Sequence, residues 1–255
     1  MKPNRVRRLL AEGKTPIGHM LMEFATRGMA KITQRADLDF VLIDMEHSGF
    51  DFGQVNDLLS WYKATPVTPF VRVPSSDYDF IARVMDAGAK GVMVPNVKTP
   101  EQAKQVVDAV RYAPEGDRGL GLGLSHNDFV RPNPRAYMAA ANRDNLVICQ
   151  IESTEALDNL EAIAAVPGVD VLWVGHFDIS QSMGIVAEFG DERFISVLKK
   201  VAEAAKRNGL AAGIQPSSQE QAREWMSYGY NLISYGADFA VYASALESAV
   251  RELRS

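Results

Sequence analysis

The chain has 255 residues, 47% of them hydrophobic and 23% charged, and its 27 Lys and Arg against 32 Asp and Glu leave a formal net charge of -5. That length buries a full core and fits one large domain or two small ones, while the mild acidity and the absence of any basic block beyond the Arg5 to Arg8 cluster argue against a nucleic-acid or anionic-membrane surface. The single Cys149 excludes an intrachain disulfide and suits a reducing cytoplasm, and neither an export signal nor an apolar run of membrane length is visible.

In chain order, short apolar or β-branched runs alternate with stretches of helical period, the pattern of parallel βαβ units. Strands are expected at 16–22, 40–44, 68–73, 91–95, 146–151, 171–175, 211–215 and 232–236. Helices are expected at 28–36, 53–63, 78–86, 100–112, 154–165, 192–208, 218–228 and 239–254. Thr99-Pro100-Glu101 sets a cap hydroxyl before a proline at the first helical position, and Asn208-Gly209 marks a C-terminus. Eight strands each followed by a helix make a (β/α)8 TIM barrel, a single domain over residues 1–255. One stretch breaks the rhythm. Residues 113–131 are rich in Gly, Pro, Asp and Asn, a loop insertion followed by a short helix at 134–142. Within it Gly119-Leu120-Gly121-Leu122-Gly123 lacks the preceding strand and following helix of a nucleotide loop and reads as a flexible lid.

Polar groups gather where these strands end. Residues two apart on a strand share a face, so Gln150 and Glu152 point one way and Cys149 and Ile151 the other. The second strand ends in Asp44-Met45-Glu46-His47, the third leaves Arg72 before Pro74, and the sixth runs through Gly175-His176-Phe177 to Asp178. Taken singly, Asp178 reads as a helix cap, Glu152 as a helix-favouring acid, Arg72 as a rim ion pair and His47 as a structural histidine. Seven such residues (Asp44, Glu46, His47, Arg72, Gln150, Glu152 and Asp178) at the ends of four strands favour function, because independent capping does not require them all on one rim. His19 is read as structural, His126 as a solvent-exposed loop residue, and the role of His176 stays open. No lysine stands at a strand end, Lys90 and Lys98 lying outside the fourth apolar run, so a Schiff-base mechanism has no candidate.

Seven motifs, Ile43-Asp44-Met45-Glu46-His47, Phe70-Val71-Arg72-Val73-Pro74, Asp86-Ala87-Gly88-Ala89, Val92-Met93-Val94-Pro95, the run from Arg111 to Gly119, Gln150-Ile151-Glu152 and Gly175 to Ser180, resemble in their order those of the HpcH/HpaI aldolase family. These are class II pyruvate aldolases, and the likeness runs from about Gly18 to the C-terminus. The resemblance implies a cytoplasmic, metal-dependent barrel that cleaves 4-hydroxy-2-oxo acids to pyruvate or a related 2-oxo acid and an aldehyde. It implies that Glu152 and Asp178 bind the divalent cation (Mg2+, Mn2+, Co2+ or Zn2+), with Glu46 supporting them from behind. It further implies that Arg72 and Gln150 orient the 2-oxo acid, that the backbone of Gly175, His176 and Phe177 holds its carboxylate, and that His47 moves the proton with help from Asp44. Asp86 matches a helix acid that meets the histidine across a subunit boundary, in a homohexamer of dimers that exchange the last helix.

The chain departs from the family pattern where Gly175-His176-Phe177-Asp178 replaces a run of small residues, at Met20 and Leu21, where an aromatic is usual, and at Ser125-His126-Asn127-Asp128, where a basic residue is usual. Those positions fall where the aldehyde half of the substrate is expected. Two other readings remain open at this stage: a citramalyl-CoA or malyl-CoA type lyase, and a non-catalytic barrel that binds a 2-oxo acid.

Overall fold

Residues 2–255 are described by a computed structural model. Helix α1 (Arg5–Ala11) comes first, its N-terminus capped by the side-chain oxygen of Asn4, which accepts from the amides of Val6 and Arg7. The Asn4 amide nitrogen donates to the carbonyls of Lys90 and Asp144, and Val6 is fully buried in the barrel interior, so this helix closes the N-terminal end of the barrel. The sequence pattern predicts no helix there.

The eight strands, β1 (Ile17–Leu21), β2 (Phe40–Asp44), β3 (Thr68–Arg72), β4 (Gly91–Val94), β5 (Leu146–Ile151), β6 (Val171–Val174), β7 (Ala211–Ile214) and β8 (Leu232–Ala237), pair in parallel in sequence order and close as β8 meets β1. Their period-two alternation sorts side chains into two layers. Met20, Phe40, Leu42, Phe70, Ile148 and Trp173 fill the interior, while Val41, Ile43, Val71, Cys149 and Ile151 pack outward against helices. The interior is tightly filled. A Cβ added at Gly213 would lie 2.1 Å from the Trp173 ring, so a glycine on β7 makes room for the indole on β6.

The outer ring begins with α2 (Met29–Arg35), α3 (Phe52–Tyr62), α4 (Tyr78–Ala87), α5 (Pro100–Val110) and α6 (Pro134–Asp144), with α5 capped by the Thr99 hydroxyl as its sequence indicates. The helix expected over 154–165 is two, α7 (Thr154–Asp158) and α8 (Leu160–Ala164), parted at Asn159, whose backbone leaves the helical region and whose side chain donates to the carbonyl of Lys98. A further helix, α9 (His176–Ser182), follows β6 directly, and α10 (Glu192–Arg207), α11 (Gln219–Ser227) and α12 (Asp238–Arg254) complete the chain. No helix among the described residues is long and apolar enough to cross a membrane.

Two placements differ from the sequence expectations. The 113–131 segment packs against the C-terminal ends of α3 and α4, where Lys63 binds the Ser125 carbonyl and the Asp128 carboxylate, and Arg118 pairs with Asp86. Those helix ends lie toward the N-terminal rim, so the glycine run is not a lid over this chain's own strand ends. His126 is buried rather than exposed, its Nδ1 lying 3.1 Å from the Asp86 carbonyl. Helix α12 touches the barrel only near its start, and Phe239, Val241, Tyr242, Leu246 and Leu253 along it are exposed. Between α2 and α11, where an eighth covering helix would sit, runs an apolar groove of about 560 Å³ that includes Met29, Ile32, Ala222 and Met226.

Candidate active site

Asp44 and Arg72 are the last residues of adjacent strands and stand directly opposite in the β2–β3 register. The guanidinium meets the carboxylate in a two-pronged pair, Nε to Oδ1 and Nη2 to Oδ2, each 2.8 Å, and both residues are buried. The same carboxylate accepts the amides of Glu46 and His47 at 3.0 and 3.3 Å. Asp44 therefore fixes Arg72 and the turn after β2. Its bond to His47 runs to the backbone amide, and the His47 side chain is exposed.

On β5, Gln150 and Glu152 share the inward face as the alternation requires, and the Gln150 amide nitrogen donates to Glu152 Oε2 at 2.5 Å. The other carboxylate oxygen accepts the Asn96 amide at 2.6 Å. Both side chains are buried, and Gln150 Oε1 has no hydrogen-bond partner. Glu152 can occupy this place only because residue 175 is a glycine. A Cβ there would stand 2.3 Å from Glu152 Oε2 and 2.8 Å from Gln150 Nε2.

Asp178 is not a helix cap. The N-cap of α9 is Gly175, and Asp178 lies inside the first turn with its side chain exposed. Glu152 is no cap either, since Ser153 caps α7. Glu46 Oε2 lies 3.2 Å from Arg72 Nη1 without hydrogen-bond alignment, and His47 Nε2 is 3.8 Å from the same oxygen.

These groups interact as one set: Asp44, Glu46 and Glu152 act on the Arg72 guanidinium, and Asp178 acts on Glu46 and Glu152. Burial pushes Glu152 up to about 7, opposed by the Asn96 amide and reinforced by Glu46 and Asp178. Burial likewise raises Glu46, against the pull of Arg72. Burial is the largest influence on Arg72 and works against its charge, yet the carboxylates around it leave its pKa raised. The rim carries excess negative charge with oxygen atoms turned into it, an arrangement suited to a hard divalent cation. Among the described residues no three acid, His or Cys side chains gather closely enough to enclose an ion unaided.

A cleft of about 800 Å³ opens above these residues, bordered by His47, Arg72, Gln150, Gly175, Asp178 and, across from them, the start of α12. The His176 ring is packed among Phe177, Phe189 and Trp225 with centroids 4.6, 5.2 and 5.4 Å away, and burial lowers its pKa to about 4. Phe177 is half exposed at the cleft edge. Asp86 lies outside this cleft, paired with Arg118 on α4's far end. Sequence reasoning missed Asn96, whose amide braces Glu152, and Asp238, whose buried carboxylate accepts the amides of Met22, Glu23 and Phe24. Asp238 had a readable signal: it closes the β8 run as Asp44 closes β2.

Known proteins share this architecture. The family model described as HpcH/HpaI aldolase/citrate lyase matches residues 20–245. A hydroxypyruvate/pyruvate aldolase of Chromohalobacter salexigens is 35% identical over 222 residues, 87% of each chain. A 4-hydroxy-2-oxovalerate aldolase of Novosphingobium aromaticivorans is 35% identical over 255 residues, covering 98% of this chain and 95% of the relative. The crystal structure of an HpcH/HpaI aldolase from Desulfitobacterium hafniense superposes with a TM-score of 0.93 at 28% identity, covering 98% of this chain and 96% of that one.

Proposed function

Because the chain belongs to the HpcH/HpaI aldolase/citrate lyase family, we propose that it is a divalent-cation-dependent aldolase. Its substrates are 4-hydroxy-2-oxo acids, cleaved to pyruvate or a related 2-oxo acid and an aldehyde, with the addition run in reverse. The observation that carries this reading is the gathering of Asp44, Glu46 and Glu152 around the Arg72 guanidinium at the C-terminal rim, with Asp178 acting on Glu46 and Glu152.

Glu152 and Asp178 would hold the cation, beside Gln150, whose Oε1 has no hydrogen-bond partner. All are hard donors, consistent with Mg2+, Mn2+, Co2+ or Zn2+. When bound, the cation supplies positive charge that stabilises the negative oxygen developing on the 2-oxo group. Arg72, held rigid by Asp44 and Glu46, adds a preorganised positive charge beside it. Gln150 and the first-turn amides of α9 at Gly175, His176 and Phe177, which have no side-chain cap, orient the acid. His47, an exposed imidazole lining the cleft, would accept the C4 hydroxyl proton as the C3–C4 bond breaks and its electron pair passes to the 2-oxo group. Glu46 Oε2 lies 3.2 Å from Arg72 and 3.8 Å from His47, and would support both electrostatically.

Among the described residues no lysine lines the cleft. Borohydride with pyruvate is therefore expected to trap no adduct, whereas thorough chelation with EDTA is expected to abolish cleavage and Mn2+ or Mg2+ to restore it. Cleavage that survives chelation, or a mass shift after reduction, would overturn the assignment.

The exposed apolar stripe of α12 and the groove left between α2 and α11 support an exchange of α12 between two copies, within a homo-oligomer that the family resemblance makes a hexamer. Asp86, displaced from its own chain's cleft, would then serve a neighbouring site. Truncation before Phe239 is expected to shift the sedimentation coefficient to that of a smaller species; an unchanged coefficient would contradict the exchange.

A further inference from the structure

Aldolase chemistry at the acidic rim, on which this inference rests, accounts for the 2-oxo acid but not for the other half of the cleft. The cleft's volume of about 800 Å³ is far more than a three-carbon acid fills. Its apolar lining includes Met20, Met22, Trp173, Phe239 and Val241. Besides the groups already assigned to the acidic rim, the lining offers neutral hydrogen-bonding side chains such as Gln215 and Ser244.

Among the described residues of this chain no lysine and no second arginine lines the cleft. The one arginine lining the cleft is Arg72, whose Nε and Nη2 are taken by Asp44 and whose Nη1 faces Glu46 at 3.2 Å. Behind the apolar wall lies a further buried negative group: the Asp238 carboxylate accepts the amides of Met22, Glu23, Phe24 and Phe239 at 3.1, 3.1, 2.8 and 2.9 Å. Its charge adds to those of Asp178, Glu152 and Glu46. One divalent cation and Arg72 can offset one bound 2-oxo acid; a second anion at the outer end would meet apolar side chains and a field of its own sign.

We infer that the aldehyde this enzyme releases and accepts is uncharged, its chain lying along Met20, Met22 and Trp173, and that carboxylated and phosphorylated aldehydes are discriminated against. The selectivity arises from the lack of a second cation, since the volume accommodates either kind.

The test compares aldehydes of matched length in pyruvate addition by the cation-loaded enzyme: butanal against succinic semialdehyde, and glyceraldehyde against glyceraldehyde 3-phosphate. Exchange of the pyruvate methyl protons with D2O is followed in parallel. The expected result is a kcat/KM at least about 100-fold higher for the neutral member of each pair, from the like-charge and desolvation penalty on the other. Ser248→Arg, which adds a cation on the α12 wall, is expected to narrow both ratios at least about tenfold. Comparable rates within the pairs, no turnover of the neutral members, or ratios unmoved by Ser248→Arg would overturn the inference while exchange persists. Loss of exchange itself would overturn the aldolase reading and this inference with it.

Discussion

Arg72→Lys is expected to lower kcat/KM for aldol cleavage by about 1,000-fold, although it conserves the charge. The guanidinium binds Asp44 with two parallel 2.8 Å hydrogen bonds and reaches Glu46 with its third nitrogen, a fork that an ammonium cannot reproduce. Removing one preorganised donor at a developing oxyanion typically costs about 2.7–4 kcal/mol of transition-state stabilisation. Asp44 is wholly buried, so weakening its partner also strands a charge, and breaking such a pair costs about 3–5 kcal/mol of stability. Steady-state kinetics and thermal unfolding together read both effects. Activity within tenfold of the parent enzyme would remove Arg72 from the chemistry.

Gly175→Ala is expected to reduce turnover at least about 100-fold with little change in unfolding temperature, through displacement of Glu152. The backbone at 175 has φ -82 and ψ 85, which alanine adopts without strain. The conflict is with the site: the new methyl would lie 2.3 Å from Glu152 Oε2 and 2.8 Å from Glu152 Cβ, so rotating the carboxylate alone does not relieve it. Gly190→Ala is the control, since nothing lies within 4 Å of a Cβ there, and it is expected to keep full activity. Equal turnover in the two variants would show that the Glu152 position is not critical.

The barrel was legible because its strands are continuous apolar runs buried on both faces, and such runs stand out against amphipathic helices. β2 and β5 fall on their expected boundaries, and the others shift by one residue at one or both ends. The pairing of Gln150 with Glu152 was legible too, since strand alternation determines it. Features set by long-range packing were not. Asn4 caps a helix that carries Val6, and its amide nitrogen donates to carbonyls 86 and 140 positions away, whereas the basic cluster around them reads as solvent-facing. His126 is buried against Asp86 on α4 and the Tyr137 ring on α6, so local polarity misplaces it.

The same limit governs the two residues that depart most from the family pattern. No helix is expected over 176–182 from the sequence, since Val171 to Phe177 is almost continuously apolar, whereas the chain turns into α9 at Gly175. That turn carries the His176 ring among Phe189 and Trp225, away from polar partners, and leaves Phe177 at the cleft edge. Helix α12 shows a helical stripe in its sequence, but only the groove between α2 and α11 reveals that the stripe does not cover its own barrel.

Enolate formation at the acidic rim is tested most directly by the rate at which the enzyme exchanges the methyl protons of pyruvate with D2O in the absence of aldehyde, followed by NMR. Exchange requires the enolate that the acidic rim and Arg72 are arranged to support, and no other substrate. The expected result is exchange with Mg2+ or Mn2+, its loss on chelation, and a fall of at least about 1,000-fold in Glu152→Gln, in which one of the two proposed cation ligands is neutralised. Exchange that persists after chelation, or at the parent rate in Glu152→Gln, would contradict cation-supported enolate chemistry at this rim.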